Sequence, residues 1–133
     1  MTAAVAVPPV YHVDTQSSAD GPISGSGEVA GNLEFTGKFK FNYDLSVADL
    51  CPADGFGTGF YFVSEMGDGA EAMSAVRGHN NDGCGTGWKN WTATLQTQRM
   101  IKRTRVAICW TDDNYQCALT STSLSTWKDN PTW

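Results

Sequence analysis

Charge is scarce in this sequence. Asp, Glu, Lys and Arg make up 17% of the 133 residues, against about a quarter in an average soluble domain. Aromatic residues nevertheless reach 11%, so the low-hydrophobicity, high-charge balance of a disordered chain is absent. No apolar run approaches the roughly 18–20 residues of a membrane span, and no membrane partner is expected. Histidine is limited to His12 and His79, and none of the four cysteines sits in a Cys-x-x-Cys or beside a histidine. Zinc sites pair close Cys or His ligands, so no metal is expected. The stretches Asn80-Asn-Asp-Gly83 and Asp112-Asp-Asn114 offer oxygen ligands for calcium. They lack the alternating spacing and terminal Glu of an EF-hand loop and read as turns. The run Gly83-Cys-Gly-Thr-Gly87 is glycine-rich but leads into a strand pattern, without the Lys-Ser/Thr and helix of a phosphate loop. There is no Gly-x-Ser-x-Gly elbow. No cofactor is implied.

What the chain does contain is turn chemistry and alternation. A length of 133 residues suits one domain with a continuous core. From 33 to 47, Leu33, Phe35, Phe39, Phe41, Tyr43, Leu45 and Val47 occupy odd positions and polar residues the even ones, interrupted by Gly37. That period of two predicts a half-buried strand, longer than usual and bent or bulged at Gly37. Residues 60–63 predict a short buried strand. The region 66–77 is ambiguous between a helical turn and a strand, and 79–87 reads as a loop. Strands are expected over 88–98, around Trp91, Ala93 and Leu95, and over 104–110, around Val106, Ile108 and Trp110. Residues 117–127 add a closing strand. The expected fold is all-β: an antiparallel β-sandwich or barrel of about 5–8 strands. Residues 1–27 are expected to be an extended arm or linker, rich in Pro, Gly and Ser, ahead of a single domain over 28–133.

Four cysteines permit three pairings. Cys109 and Cys117 bracket a turn-rich segment and suggest a bridge across one hairpin, which leaves Cys51 to pair with Cys84. Two such loops would contribute on the order of 6 kcal/mol in the chain-entropy account, and persistent disulfides imply an oxidising compartment. The N-terminal residues carry no Lys or Arg before Pro8-Pro9, unlike an intact signal peptide. The expectation is a mature, secreted protein.

Net charge is −5, divided unevenly: residues 1–72 hold ten acids and only Lys38 and Lys40, while the rest is basic. Two halves that neutralise one another explain this better than a nucleic-acid partner, which would call for a basic domain. The basic residues Arg99, Lys102, Arg103 and Arg105 fit a solvent face, with Arg103 and Arg105 opposite Val106 and Ile108. For hydrolysis, Glu65, Asp68, Glu71 and His79 are the acid/base candidates, but nothing in their spacing fixes their distance. If all four cysteines are paired, none is a nucleophile. Trp88, Trp127, Trp133 and Tyr115 offer stacking surfaces for carbohydrate, with Asn90, Asp112 and Asp113 near to bind hydroxyls, whereas Trp91 and Trp110 fit buried phases. In the arm, Val5, Val7 and Tyr11 are anchors with which an extended segment would add a strand to a partner's sheet.

The run Arg103-Thr-Arg-Val-Ala-Ile-Cys109, the polar loop to Cys117 and the ending Trp127-Lys-Asp-Asn-Pro131 resemble small secreted β-proteins common in actinobacteria. The resemblance covers the C-terminal third. Some of those proteins are adaptor subunits of umbrella toxin particles, where a small disulfide-bearing protein links a lectin-like subunit to the toxin stalk. It implies a secreted, non-enzymatic adaptor and supplies no catalytic residues. A carbohydrate-binding module is the first alternative, and a small secreted toxin or hydrolase the second.

Overall fold

Alternation of apolar and polar residues commits most of this chain to strands. The computed structural model describes residues 10–13, 27–49, 57–81, 87–112, 114–117 and 123–133. They form β1 (Val10–Val13), β2 (Gly27–Phe35), β3 (Lys40–Asp49), β4 (Gly57–Met66) and β5 (Glu71–Met73). These are followed by β6 (Gly78–Asn80), β7 (Trp88–Gln96), β8 (Ile101–Thr111), β9 (Ser123–Leu124) and β10 (Lys128–Asp129). No helix occurs among the described residues, and so none long and apolar enough to cross a membrane.

The strands make two antiparallel sheets. The first runs β1-β2-β3-β7. The second is built on the long β4–β8 pair, with a register shift between Glu65 and Met66. Along the far side of β4 lie β5 and then β6, and along the far side of β8 lie β9 and β10. Each far side is thus one interrupted strand.

Residues 33–47 are not one bent strand. Gly37 lies in the turn between β2 and β3, and Phe35 pairs with Phe41 and Leu33 with Tyr43. Five residues separate Phe35 from its partner Phe41, an odd number that preserves parity, so odd positions on both strands face inward. The same side chains are buried as the alternation requires, except Phe39, which the turn leaves 42% exposed. Across the sheets, Phe41 meets Phe62 edge-on with centroids 4.9 Å apart, and Tyr43 meets Phe60 at 5.8 Å. Trp110, Val106 and Ile108 complete this buried layer. Each large aromatic so buried contributes about 1.5–3 kcal/mol from surface removed from water.

Two buried asparagines fasten the ends of the layer. Asn80 donates from Nδ2 to the carbonyls of Val47 and Gly87, tying the second sheet to the first. Asn130 donates to Gly37 O and Ile101 O, and its Oδ1 accepts from Thr132. Asn80 heads one of the calcium-like stretches, so that amide serves to bridge backbone. Gly31, with φ of +145°, brings β2 so close to β3 that a Cβ would overlap the Asp44 carbonyl.

Candidate functional site

Sheet edges are hazards, because unpaired backbone N–H and C=O groups invite another strand. Proteins blunt them by keeping edge strands short or broken. Among the described residues three of the four edges are of that kind: β1 has four residues, β5 and β6 three each, β9 and β10 two each. The fourth, β7, runs nine residues without interruption and pairs only with β3 among the described residues. Its single charged side chain is Lys89.

The two faces of β7 differ. Trp88, Asn90, Thr92 and Thr94 belong to a polar outer face. Asn90 Nδ2 donates to Asp44 Oδ1 at 2.8 Å and to Ser46 Oγ at 3.0 Å. Thr92 donates to Asn90 Oδ1 at 2.9 Å, and Thr94 to Asn42 at 2.6 Å. Trp88, 51% exposed, borders a shallow depression of about 400 Å³ with Asp44, Ser46 and Asn90.

On the inner face Trp91, Ala93 and Leu95 share one phase. Leu95 is buried and Trp91 half-buried, but Ala93 is exposed. β7 therefore overhangs the edge of the second sheet. Trp91 fills the gap at one end: its Nε1 donates to His79 O at 3.0 Å, and a Cβ on Gly78 would overlap the rings of both Phe60 and Trp91. At the other end the gap stays open as a cleft of about 160 Å³ with Phe62, Met66, Ala72 and Leu95 in its walls and Ser64 and Arg77 among its polar groups. Deeper in, Ser64 and Thr104 share a hydroxyl hydrogen bond of 2.8 Å. Met73 stands at the rim, 73% exposed. Burial holds the Tyr43 phenol above its ordinary range, and the Arg77 guanidinium draws it back down. Arg77 itself is exposed, and no carboxylate among the described residues pairs with it.

The chain matches no family model, curated protein or solved structure. The site must speak for itself.

The residues singled out in the sequence fall in separate places. Trp88 lies on the outer face of the first sheet. Tyr115 lies beside the second, stacked on His79 with centroids 3.9 Å apart and planes 14° from parallel. The Tyr115 backbone has φ of 59°, a conformation that costs a non-glycine residue about 1–2 kcal/mol. Asp112 holds that turn by accepting at Oδ1 from the amides of Asn114 and Gln116, and so is occupied as a turn residue. Cys109 and Cys117 are bonded as expected. Tyr11 belongs to β1, whose backbone pairs with β2 of the same chain, Tyr11 opposite Val29. Val5, Val7, Cys51 and Cys84 lie outside the described residues, as do Asp82 and Asp113.

Three of the acid/base candidates gather at the β4–β5 hairpin, with Glu65 directly opposite Glu71 and Asp68 in the turn, but each carboxylate has a basic partner. Glu65 meets Arg103 and Lys102, Asp68 meets Arg99, and Glu71 lies 4.0 Å from Arg105. His79 sits opposite Gly59, six residues along β4 from Glu65 and hence about 20 Å away. No group of three His, Cys, Asp or Glu side chains suited to a metal occurs among the described residues. Arg103 and Arg105 do share a solvent face, where both guanidiniums lie 4.3 Å from the centroid of the Trp127 ring. Trp127 against both guanidiniums and Arg77 at the cleft were not anticipated, because tertiary pairing and not local pattern brings them there.

Proposed function

We propose that this protein is an exported interaction domain, an adaptor that accepts an extended segment of another protein as a fifth strand on β7. The observation that supports this reading is the contrast between edges: three are short or broken, and one is long, continuous and nearly uncharged. Backbone hydrogen bonds would supply affinity and alternate side chains specificity. The Cys109–Cys117 bond accords with an oxidising compartment. Val5 and Val7 keep their proposed part as a segment the adaptor gives, alongside the strand it receives, whereas the backbone of Tyr11 is taken up by β2 of its own chain. Membership of an extracellular toxin assembly remains part of the same proposal.

Two proline variants test it, each assayed by capture of the partner from the culture fluid of producing cells. Successive residues of β7 send their N–H alternately toward β3 and away from it. Of Thr92→Pro and Ala93→Pro, one therefore spares the β3 ladder and removes an outward donor. The variant that stays folded should lose the partner. Undiminished capture by that variant would sink the reading.

Carbohydrate binding is the second reading, favoured by the half-exposed Trp88 beside the Asp44–Asn90–Ser46 network. It requires that Trp88→Ala abolish polysaccharide-induced changes in tryptophan fluorescence. A flat titration of the wild type removes it.

A further inference from the structure

The cleft beneath β7 has the size of one side chain. A cavity of about 150 Å³ admits a group the size of benzene, and this one measures about 160 Å³. It is too small for the 300–1,000 Å³ that a drug-sized ligand needs. Its walls are apolar at Phe62, Met66 and Leu95, and Met73 at the rim is an adaptable thioether.

Position along β7 relates the cleft to the uncompensated cation. The Arg77 amide donates to Phe60 O at 2.8 Å, and the Phe60 ring meets that of Tyr43, whose cross-strand partner is Ala93. Leu95, two residues further on, lines the cleft. A strand added to β7 would lie about 4.8 Å beyond it, with every second side chain pointing the same way as Trp91, Ala93 and Leu95. Neighbouring side chains on that face of the added strand are therefore two residues apart. One would stand level with Leu95 over the apolar cleft, and the next level with Ala93 beside Arg77.

We propose that the segment accepted by β7 carries an aliphatic or aromatic anchor for the cleft and, two residues from it, an Asp or Glu for Arg77. This rests on strand addition at β7 and adds the partner's side-chain chemistry. The chain as a whole is acidic, so a second copy meets general repulsion. At the cleft mouth, by contrast, the unpaired guanidinium favours a foreign acid, and Arg suits a carboxylate bidentately.

Fluorescein-labelled heptapeptides with the order Thr-Glu-Thr-Leu-Thr-Val-Thr, and the same residues reversed to cover both strand directions, serve as probes in anisotropy titrations. The better of the two should bind about tenfold tighter than its Glu-to-Lys analogue, a difference of about 1.4 kcal/mol. Arg77→Glu, a change at an exposed position, should invert that order. N-methylation of the four Thr amides, or in a second series of the other three, should abolish binding in one series, because only one set faces β7. Equal affinity of Glu and Lys peptides, with one N-methyl series still inactive, overturns the anchor-and-acid pattern and leaves strand addition standing. Full binding by both N-methyl series overturns strand addition itself. Absence of binding by every peptide at millimolar concentration overturns both.

Discussion

The hydroxyl pair of Ser64 and Thr104 gives a direct measure of how dry the layer between the sheets is. The two residues face each other across β4 and β8, Oγ to Oγ1 at 2.8 Å, with Thr104 fully buried and Ser64 4% exposed. Ser64→Ala leaves the Thr104 hydroxyl without a partner where water does not reach, which costs about 1–3 kcal/mol. Thr104→Val leaves Ser64 unpaired instead. Ser64 lines the cleft, where water can replace the lost bond, so this change belongs at the low end, about 1 kcal/mol. The double variant removes both polar groups, exchanges them for apolar ones of similar shape, and should lie within about 1 kcal/mol of the wild type. The cycle therefore predicts a coupling of roughly 1–3 kcal/mol. Urea unfolding reads this out: with a slope near 1.5 kcal/mol/M, a loss of 2 kcal/mol moves the midpoint by about 1.3 M. Single costs that simply add in the double variant would refute the account, since each hydroxyl would then have a partner of its own. Equal single costs would refute the asymmetry, and with it the claim that the cleft admits water.

Other perturbations have equally definite outcomes. Replacing Cys109 and Cys117 together by Ala opens a loop of sequence separation 8 and should lower stability by about 2.5 kcal/mol, measured by thermal melts against the wild type. A loss under about 1 kcal/mol would mean that the Asp112 turn already closes the loop. Asp68 is held below its ordinary value of 3.8 by the Ala70 amide and then by Arg99. Its contribution to stability is therefore present above pH 3.8 and lost as pH falls through the lower folded value; Asp68→Asn should flatten melting temperature against pH in that acid range. Tyr43 titrates above its ordinary value of 10.0 because it is buried, with Arg77 opposing. The stability it confers is present below pH 10 and lost as pH rises through its folded value. Arg77→Gln should push that titration higher still in ultraviolet absorbance, and an unchanged curve would separate Arg77 from the phenol. Tyr115→Ala should leave the backbone strain in place and remove the stack on His79, shifting the His79 ring proton resonances downfield in an NMR spectrum.

Alternation carried much of the fold. It placed Trp110, Phe41, Tyr43 and Val106 inward, where the structure has them. It misread residues 33–47 as one strand for a physical reason: an odd number of residues, five, separates the paired Phe35 and Phe41, so odd–even parity is kept and the pattern crosses the turn without a break. Phe39 fits the apolar phase and yet sits on the turn. The segments 66–77 and 79–87 hid β5 and β6, because three residues are too few for a period and the pairing with β4 comes from tertiary context. Of the candidate site, Trp88 was legible as an exposed aromatic. The cleft was not, because its walls come from β4, β5 and β7, and no local pattern joins Phe62, Ala72 and Leu95. Arg77 closes the segment left ambiguous between a helical turn and a strand, and its lack of an acidic partner among the described residues is a property of the assembled sheets.

The chain order of the first sheet has a kinetic consequence. β2 and β3 are a hairpin and form from neighbouring residues, but β7 joins β3 from some fifty positions downstream, Lys40 pairing with Gln96 and Ala48 with Trp88. Closing so large a loop is slow compared with hairpin formation. Until residue 96 has been made, the growing chain exposes β3 as a vacant edge about as long as the one β7 later presents. Arrival of β7 fills that vacancy and creates the next one a strand's width further out. The last step of building this sheet is therefore chemically the same event as the docking proposed for it, performed once within the chain and then offered to another.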